Sequence, residues 1–173
     1  MNGALRNVAV GVMAMAMALS PAAAAEKTYE KPSDFLKRHF GDVPKTRVLE
    51  LDRRQQGGIK AVLGHDYGQT RIRYWKEGGK TAWILEEIGK TEPITTGFII
   101  RNGAISEIKV LIYRESHGWE VSRPFFTRQF VGAKLAGGRL ERDIDGIVGA
   151  TLSVRALTRL SAAALYLSQQ VDS

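Results

Sequence analysis

Asn102-Gly103 lies between two apolar runs, Ile94 to Arg101 and Ile105 to Tyr113. A two-residue Asn-Gly loop takes the backbone torsions that match the twist of paired strands, which makes it a strong hairpin signal. It sets two adjacent antiparallel strands in the middle of the chain and argues against a doubly wound parallel sheet. In the returning strand, Ile108, Val110 and Ile112 are expected on one face, with Lys109, Leu111 and Tyr113 on the other. Both faces carry apolar character, which predicts a central strand covered on both sides. Upstream, Thr70 to Trp75 alternates, and Gly78-Gly79 turns it into a partner strand over Thr81 to Ile88.

Helices flank these strands. Pro32-Ser33-Asp34 reads as a helix start, with Phe35, Leu36 and Phe40 as the apolar face and Gly41 as the stop. Thr46 to Leu51 reads either as a strand or as the start of a second helix continuing past Arg53. Gly57-Gly58 weakens the helical reading there, and Ile59 to Leu63 is ambiguous. After Tyr113 the stretch Glu115-Ser116-His117-Gly118-Trp119 breaks the strand pattern. A short aromatic-rich element follows over Pro124 to Phe130, then a loop marked by Gly132, Gly137 and Gly138. A closing helix is expected from about Ala150 to Gln169, burying Leu157, Leu160, Ala164 and Leu167. The sum is a single α+β domain: an antiparallel sheet built from hairpins, flanking helices and a long C-terminal helix.

Residues 1–25 read as a secretory signal, and residues 26–173 as the domain. Arg6 supplies the positive start, Val8 to Leu19 an apolar run, and Pro21 to Ala25 the small residues that a signal peptidase reads. The run is shorter than the ~20 residues of a spanning helix. The expected location is therefore the periplasm, with an anchor formed by an uncleaved N-terminal segment as the alternative. The chain has no cysteine, which excludes disulfides, iron–sulfur clusters, thiolate zinc sites, c-type haem attachment and a lipid-bearing N-terminal cysteine. A redox role must rest on an organic cofactor or a histidine-ligated metal. The formal charge is +7, scattered in pairs such as Lys37-Arg38 and Arg53-Arg54. Export argues against nucleic acid, so the charge reads as a solvated surface that steers toward an anionic partner or a membrane.

The remaining feature is Asp145-Gly146-Ile147-Val148-Gly149-Ala150-Thr151-Leu152-Ser153, a small-residue turn running into the closing helix. Helix N-termini hold unpaired N–H groups and partial positive charge, which suits a phosphate. The stretch resembles the flavinylation motif of the FMN-binding domain family, found in the periplasmic subunits of sodium-pumping quinone reductases and Rnf-type complexes. In that motif an Asp stands six residues before a Thr, within a Gly-Ala-Thr and with a further hydroxyl two residues on. Asp145, Gly149-Ala150-Thr151 and Ser153 occupy those places, and Val148 stands where the family usually has Ser or Thr. The family also carries an Asn-Gly or Asp-Gly hairpin followed by a Glu-Thr-x-Gly-like segment that lines the flavin. Asn102-Gly103 and Glu115-Ser116-His117-Gly118 follow in matching order, and the resemblance spans roughly Ile94 to Ser168.

The resemblance implies FMN joined covalently through Thr151, with Asp145, Gly149, Ala150, Ser153, Glu115, Ser116 and Gly118 around it. Ser153 is expected to turn its hydroxyl toward the phosphate or to cap the first turn. Asp145 either hydrogen-bonds the turn backbone or meets the modifying enzyme. Glu115 either contacts flavin or is a strand-end carboxylate facing water. With His117 it forms a Glu-x-His pair, the start of a metal site, but no third ligand lies at useful spacing. Trp119, Phe125, Phe126 and Phe130 either cover a flavin ring or belong to the core. Arg155 and Arg159 form either a solvated face or a phosphate contact. The implied partners are a flavin transferase that uses FAD, and a membrane-bound reductase or cytochrome. The implied function is electron carriage rather than turnover of a substrate. The alternatives are a cofactor-free binding or adaptor domain and a periplasmic flavin reductase acting on a small substrate.

Overall fold

The computed structural model describes residues 26–172; the expected signal segment lies outside them. Six strands form one antiparallel sheet: β1 (Lys27–Thr28), β2 (Arg47–Glu50), β3 (Arg71–Glu77), β4 (Lys80–Ile88), β5 (Pro93–Arg101) and β6 (Ala104–Tyr113). Their spatial order is β1-β6-β5-β4-β3-β2. Asn102 (φ 52°) and Gly103 (φ 70°) turn β5 into β6, both in the left-handed region that this tight hairpin requires. The sheet is α+β in class, with a long C-terminal helix laid across it.

Helix α1 (Pro32–Phe40) covers one face. Proline sits at its first position, Asp34 in its first turn, and Gly41 (φ 69°) ends it. It buries Phe35 and Leu36 against Ala82, Ile99 and Leu111. The other face holds the main core. There α2 (Arg53–Leu63) and α4 (Thr151–Asp172) pack on each other, and α4 lies across β4 and β5. Leu157, Leu160, Ala164 and Leu167 of α4 are fully buried, each leucine contributing about 2 kcal/mol by area. The far end of α4 is fixed by Lys76, whose Nζ donates to the Val171 carbonyl at 2.7 Å and pairs with Asp172 at 2.9 Å. A cation at a helix C-terminus is favourable there. No helix among the described residues is long and apolar enough to cross a membrane.

Two open readings are decided and one expectation is corrected. Helix α2 runs straight through Gly57-Gly58. A reciprocal cap offsets the weak propensity: Gln55 N–H donates to Asp52 Oδ1 at 2.7 Å, and Asp52 N–H to Gln55 Oε1 at 2.9 Å. Gly58 is there for packing, since a Cβ would lie 2.0 Å from the Tyr166 hydroxyl of α4. The faces of β6 also differ from simple alternation. Thr95 pairs with Ile112 but Thr96 with Val110, so Leu111 is an extra residue, a β-bulge. Beyond it Ile112 packs with Leu111 on the α1 side, and Tyr113 turns into the core beneath α4. Finally, the aromatic group divides. Phe126, in α3 (Pro124–Thr127), and Phe130 are fully buried, whereas Trp119 and Phe125 are exposed. Gly137-Gly138 turns a small hairpin, β7 (Leu135–Ala136) and β8 (Arg139–Leu140), beside α4.

Candidate functional site

The turn before α4 is closed by the Ala150 N–H donating to the Ile147 carbonyl at 3.0 Å, with Gly149 at φ 82°. A side chain at that φ is strained, so glycine suits the corner. The first helical bond is Val154 N–H to the Ala150 carbonyl, 2.9 Å. The N–H groups of Thr151, Leu152 and Ser153 therefore precede the ladder and have no intrahelical acceptor. Thr151 is exposed, Ala150 is buried, and Val148 points fully into solvent.

Opposite this turn stands the segment that leaves β6. Tyr113 donates its hydroxyl hydrogen to the His117 carbonyl at 2.5 Å, and its oxygen lies 2.9 Å from Ser153 Oγ. Because the tyrosine hydrogen is already committed, Ser153 is the donor in that pair. Ser153 is buried and directed at Tyr113, so its hydroxyl neither caps the first turn nor points at the helix mouth. Burial holds the Tyr113 phenol up at about 12, with the Ser153 bond opposing. Gly118 (φ 85°) is wedged between the two elements: a Cβ there would lie 2.9 Å from both Ser153 Oγ and the Tyr113 hydroxyl.

Glu115 builds a third part. Its Oε1 accepts the N–H groups of Lys90, Thr91 (2.7 Å) and Glu92 (3.0 Å), and Oε2 accepts the Thr91 hydroxyl at 3.2 Å. Successive N–H groups converging on one anion form a nest. Burial opposes ionisation, but the three amides together hold the Glu115 carboxyl below the usual carboxylate range. The carboxylate is thus committed to the β4–β5 turn. That turn carries Lys90 to the site, a residue invisible to local motif reading because it lies 25 positions from its holder.

These three pieces enclose a cavity of about 310 Å³ lined by Lys90, Glu115, Ser116, His117 and residues 149–153. Ser116 Oγ lies 2.9 Å from His117 Nδ1 at its rim. Gly118 is behind the wall and Asp145 is outside it. The Asp145 N–H donates to Gln129 Oε1 at 2.8 Å, while its exposed carboxylate makes no bond to the turn backbone. The donor set fits a phosphate: unpaired amides at the start of a 22-residue helix, a nearby lysine, and no acidic residue in the first turn. Leu152 gives the cavity an apolar wall.

The chain is thus an antiparallel α+β domain with an anion-favouring cavity at the head of the longest helix among the described residues. The sequence model of the FMN-binding domain family matches residues 89–166, and this stretch belongs to that family. The match begins at the turn held by Glu115 and runs through most of α4. The chain is accordingly a flavin-binding protein. No curated protein shows significant similarity to it.

Proposed function

We propose that the chain carries FMN as a phosphoester on Thr151 and passes electrons in the periplasm between a membrane-bound reductase and an acceptor such as a cytochrome. One observation supports this above the rest: Thr151 is exposed on the first turn of α4, at the edge of a cavity that Lys90 also lines. A flavin, when bound, supplies one- and two-electron chemistry. Thr151 Oγ gives up its proton and bonds the FMN-side phosphorus of FAD, and AMP departs, with a flavin transferase as the catalyst. The first-turn amides and Lys90 hold the negative charge left on the phosphate. Gly149 and Ala150 leave the approach clear, and Leu152 offers apolar surface to a ring. Asp145 and Val148, both exposed, lie on the side open to the modifying enzyme. Glu115 is the only carboxylate among the described residues lining the cavity, and its commitment to the turn supports a carrier over an enzyme with its own substrate.

In this reading residues 1–25 direct export and residues 26–173 form the carrier. Intact mass tests it on protein exported alongside a flavin transferase, beside Thr151→Val. A gain of one FMN less one water, absent from the variant, is the expected result. An unmodified mass in both proteins would overturn the covalent attachment and leave dissociable FMN.

A further inference from the structure

A second cavity, of about 500 Å³, opens on the other flank of α4, between that helix, α2 and the β7–β8 hairpin. It shares no lining residue with the cavity at Thr151. Arg159 sits eight residues beyond Thr151, about 12 Å along the helix at 1.5 Å per residue.

Its charge is one-sided. Arg139, Arg142 and Arg159 line it, against a single carboxylate, Asp143. Arg142 is positioned by donating to the Val131 carbonyl at 3.2 Å, with Glu141 3.5 Å away. Arg159 is half-buried, its Nη2 3.2 Å from where a Cβ would stand on Gly64, the residue that ends α2. Among the described residues no carboxylate comes within ion-pair distance of Arg139 or Arg159. Between these cations the surface is apolar: Val62 from α2, Leu140 and Ile144 from the hairpin side, and Ala162 from α4. Guanidinium groups present a planar fork to carboxylate or phosphate oxygens, and an apolar wall between them favours a hydrophobic body.

We propose that this cavity binds a small amphiphilic anion, an organic phosphate or carboxylate whose charged head meets Arg139 and Arg159 and whose apolar body rests on Val62, Leu140 and Ile144. The site does not depend on Thr151 or on the flavin. Phenyl phosphate is a suitable probe, titrated calorimetrically into protein with and without attached flavin, beside inorganic phosphate and phenol. Saturable binding of phenyl phosphate is expected, at least tenfold tighter than inorganic phosphate, with none for phenol. Arg159→Gln should weaken it at least tenfold and Arg139→Gln, at the exposed start of β8, several-fold. Arg47→Gln, on the distant β2, and Thr151→Val should leave it unchanged. Absence of saturable binding, equal affinity for inorganic phosphate, or indifference to both cavity variants would overturn the proposal. So would loss of binding once flavin is attached, because the cavity would then belong to the flavin ring.

Discussion

The two walls of the site at the head of α4 are built in opposite ways. The wall formed by 113–118 is tied down at every step: Tyr113 to Ser153 and to the His117 carbonyl, Glu115 to three amides, Gly118 fitted against both hydroxyls. The wall formed by 145–150 rests Ile147 and Ala150 on the core, is closed by one turn bond and one contact to Gln129 ahead of the helix, and exposes Asp145, Val148 and Gly149. Stability is stored in the first wall. The second is free to be chemically permissive, because few contacts there constrain side-chain identity.

The sharpest way to break this contrast is Gly118→Val. A positive φ combined with contacts below 3.0 Å should cost about 3 kcal/mol or more in urea unfolding, whereas Val148→Thr should change stability by less than about 0.5 kcal/mol. Tyr113→Phe comes next. It leaves the His117 carbonyl and Ser153 Oγ without their partner, for a loss of about 1–3 kcal/mol. A double-mutant cycle with Ser153→Ala should show non-additivity, since the two hydroxyls act as one unit.

Glu115→Gln is smaller, about 1 kcal/mol near neutrality, because the site is partly solvated. Its pH dependence is the more informative readout. The folded Glu115 carboxyl is held below its ordinary range, so its contribution is complete above that range and fades as pH falls through the folded value. Wild type should therefore lose its advantage over Glu115→Gln in acid. Thr151→Val is the smallest perturbation of the fold, within about 0.5 kcal/mol, since Thr151 is exposed. On the proposed function the same substitution abolishes attached flavin, which separates chemistry from stability at one position.

Much of the frame was legible in local patterns. Asn102-Gly103 marked its hairpin, Pro32 and Gly41 bracketed α1, and the spacing of Leu157, Leu160 and Leu167 gave the buried face of α4. What escaped depended on partners distant in sequence. Gly58 reads as a helix breaker until Tyr166 is placed over it. The Asp52–Gln55 pair was an available cap signal that outweighs that glycine. Ser153 looked like a cap because nothing in the sequence places Tyr113 beside it, 40 residues away. Lys90 reaches the cavity only through Glu115. The exposed Trp119 and the buried Phe126 are alike in sequence and differ only in which way a short turn carries them.

The bulge at Leu111 makes the site a matter of counting. Ser106 is a second extra residue, between the partners of Ile99 and Ile100, so the strand changes parity there and again at Leu111, and Ile105 and Tyr113 both face the core beneath α4. Were the strand to pair regularly through Leu111 instead, Tyr113 would fall on the α1 face, away from Ser153. A relative could keep Glu115, Gly118, Thr151 and Ser153 in order and still lack the cavity. Conversely, side chains within β6 can be exchanged for others of similar volume while the number of residues between the turn and Tyr113 is preserved. The strand behaves as a ruler whose length, more than its lettering, decides whether the head of α4 meets its opposite wall.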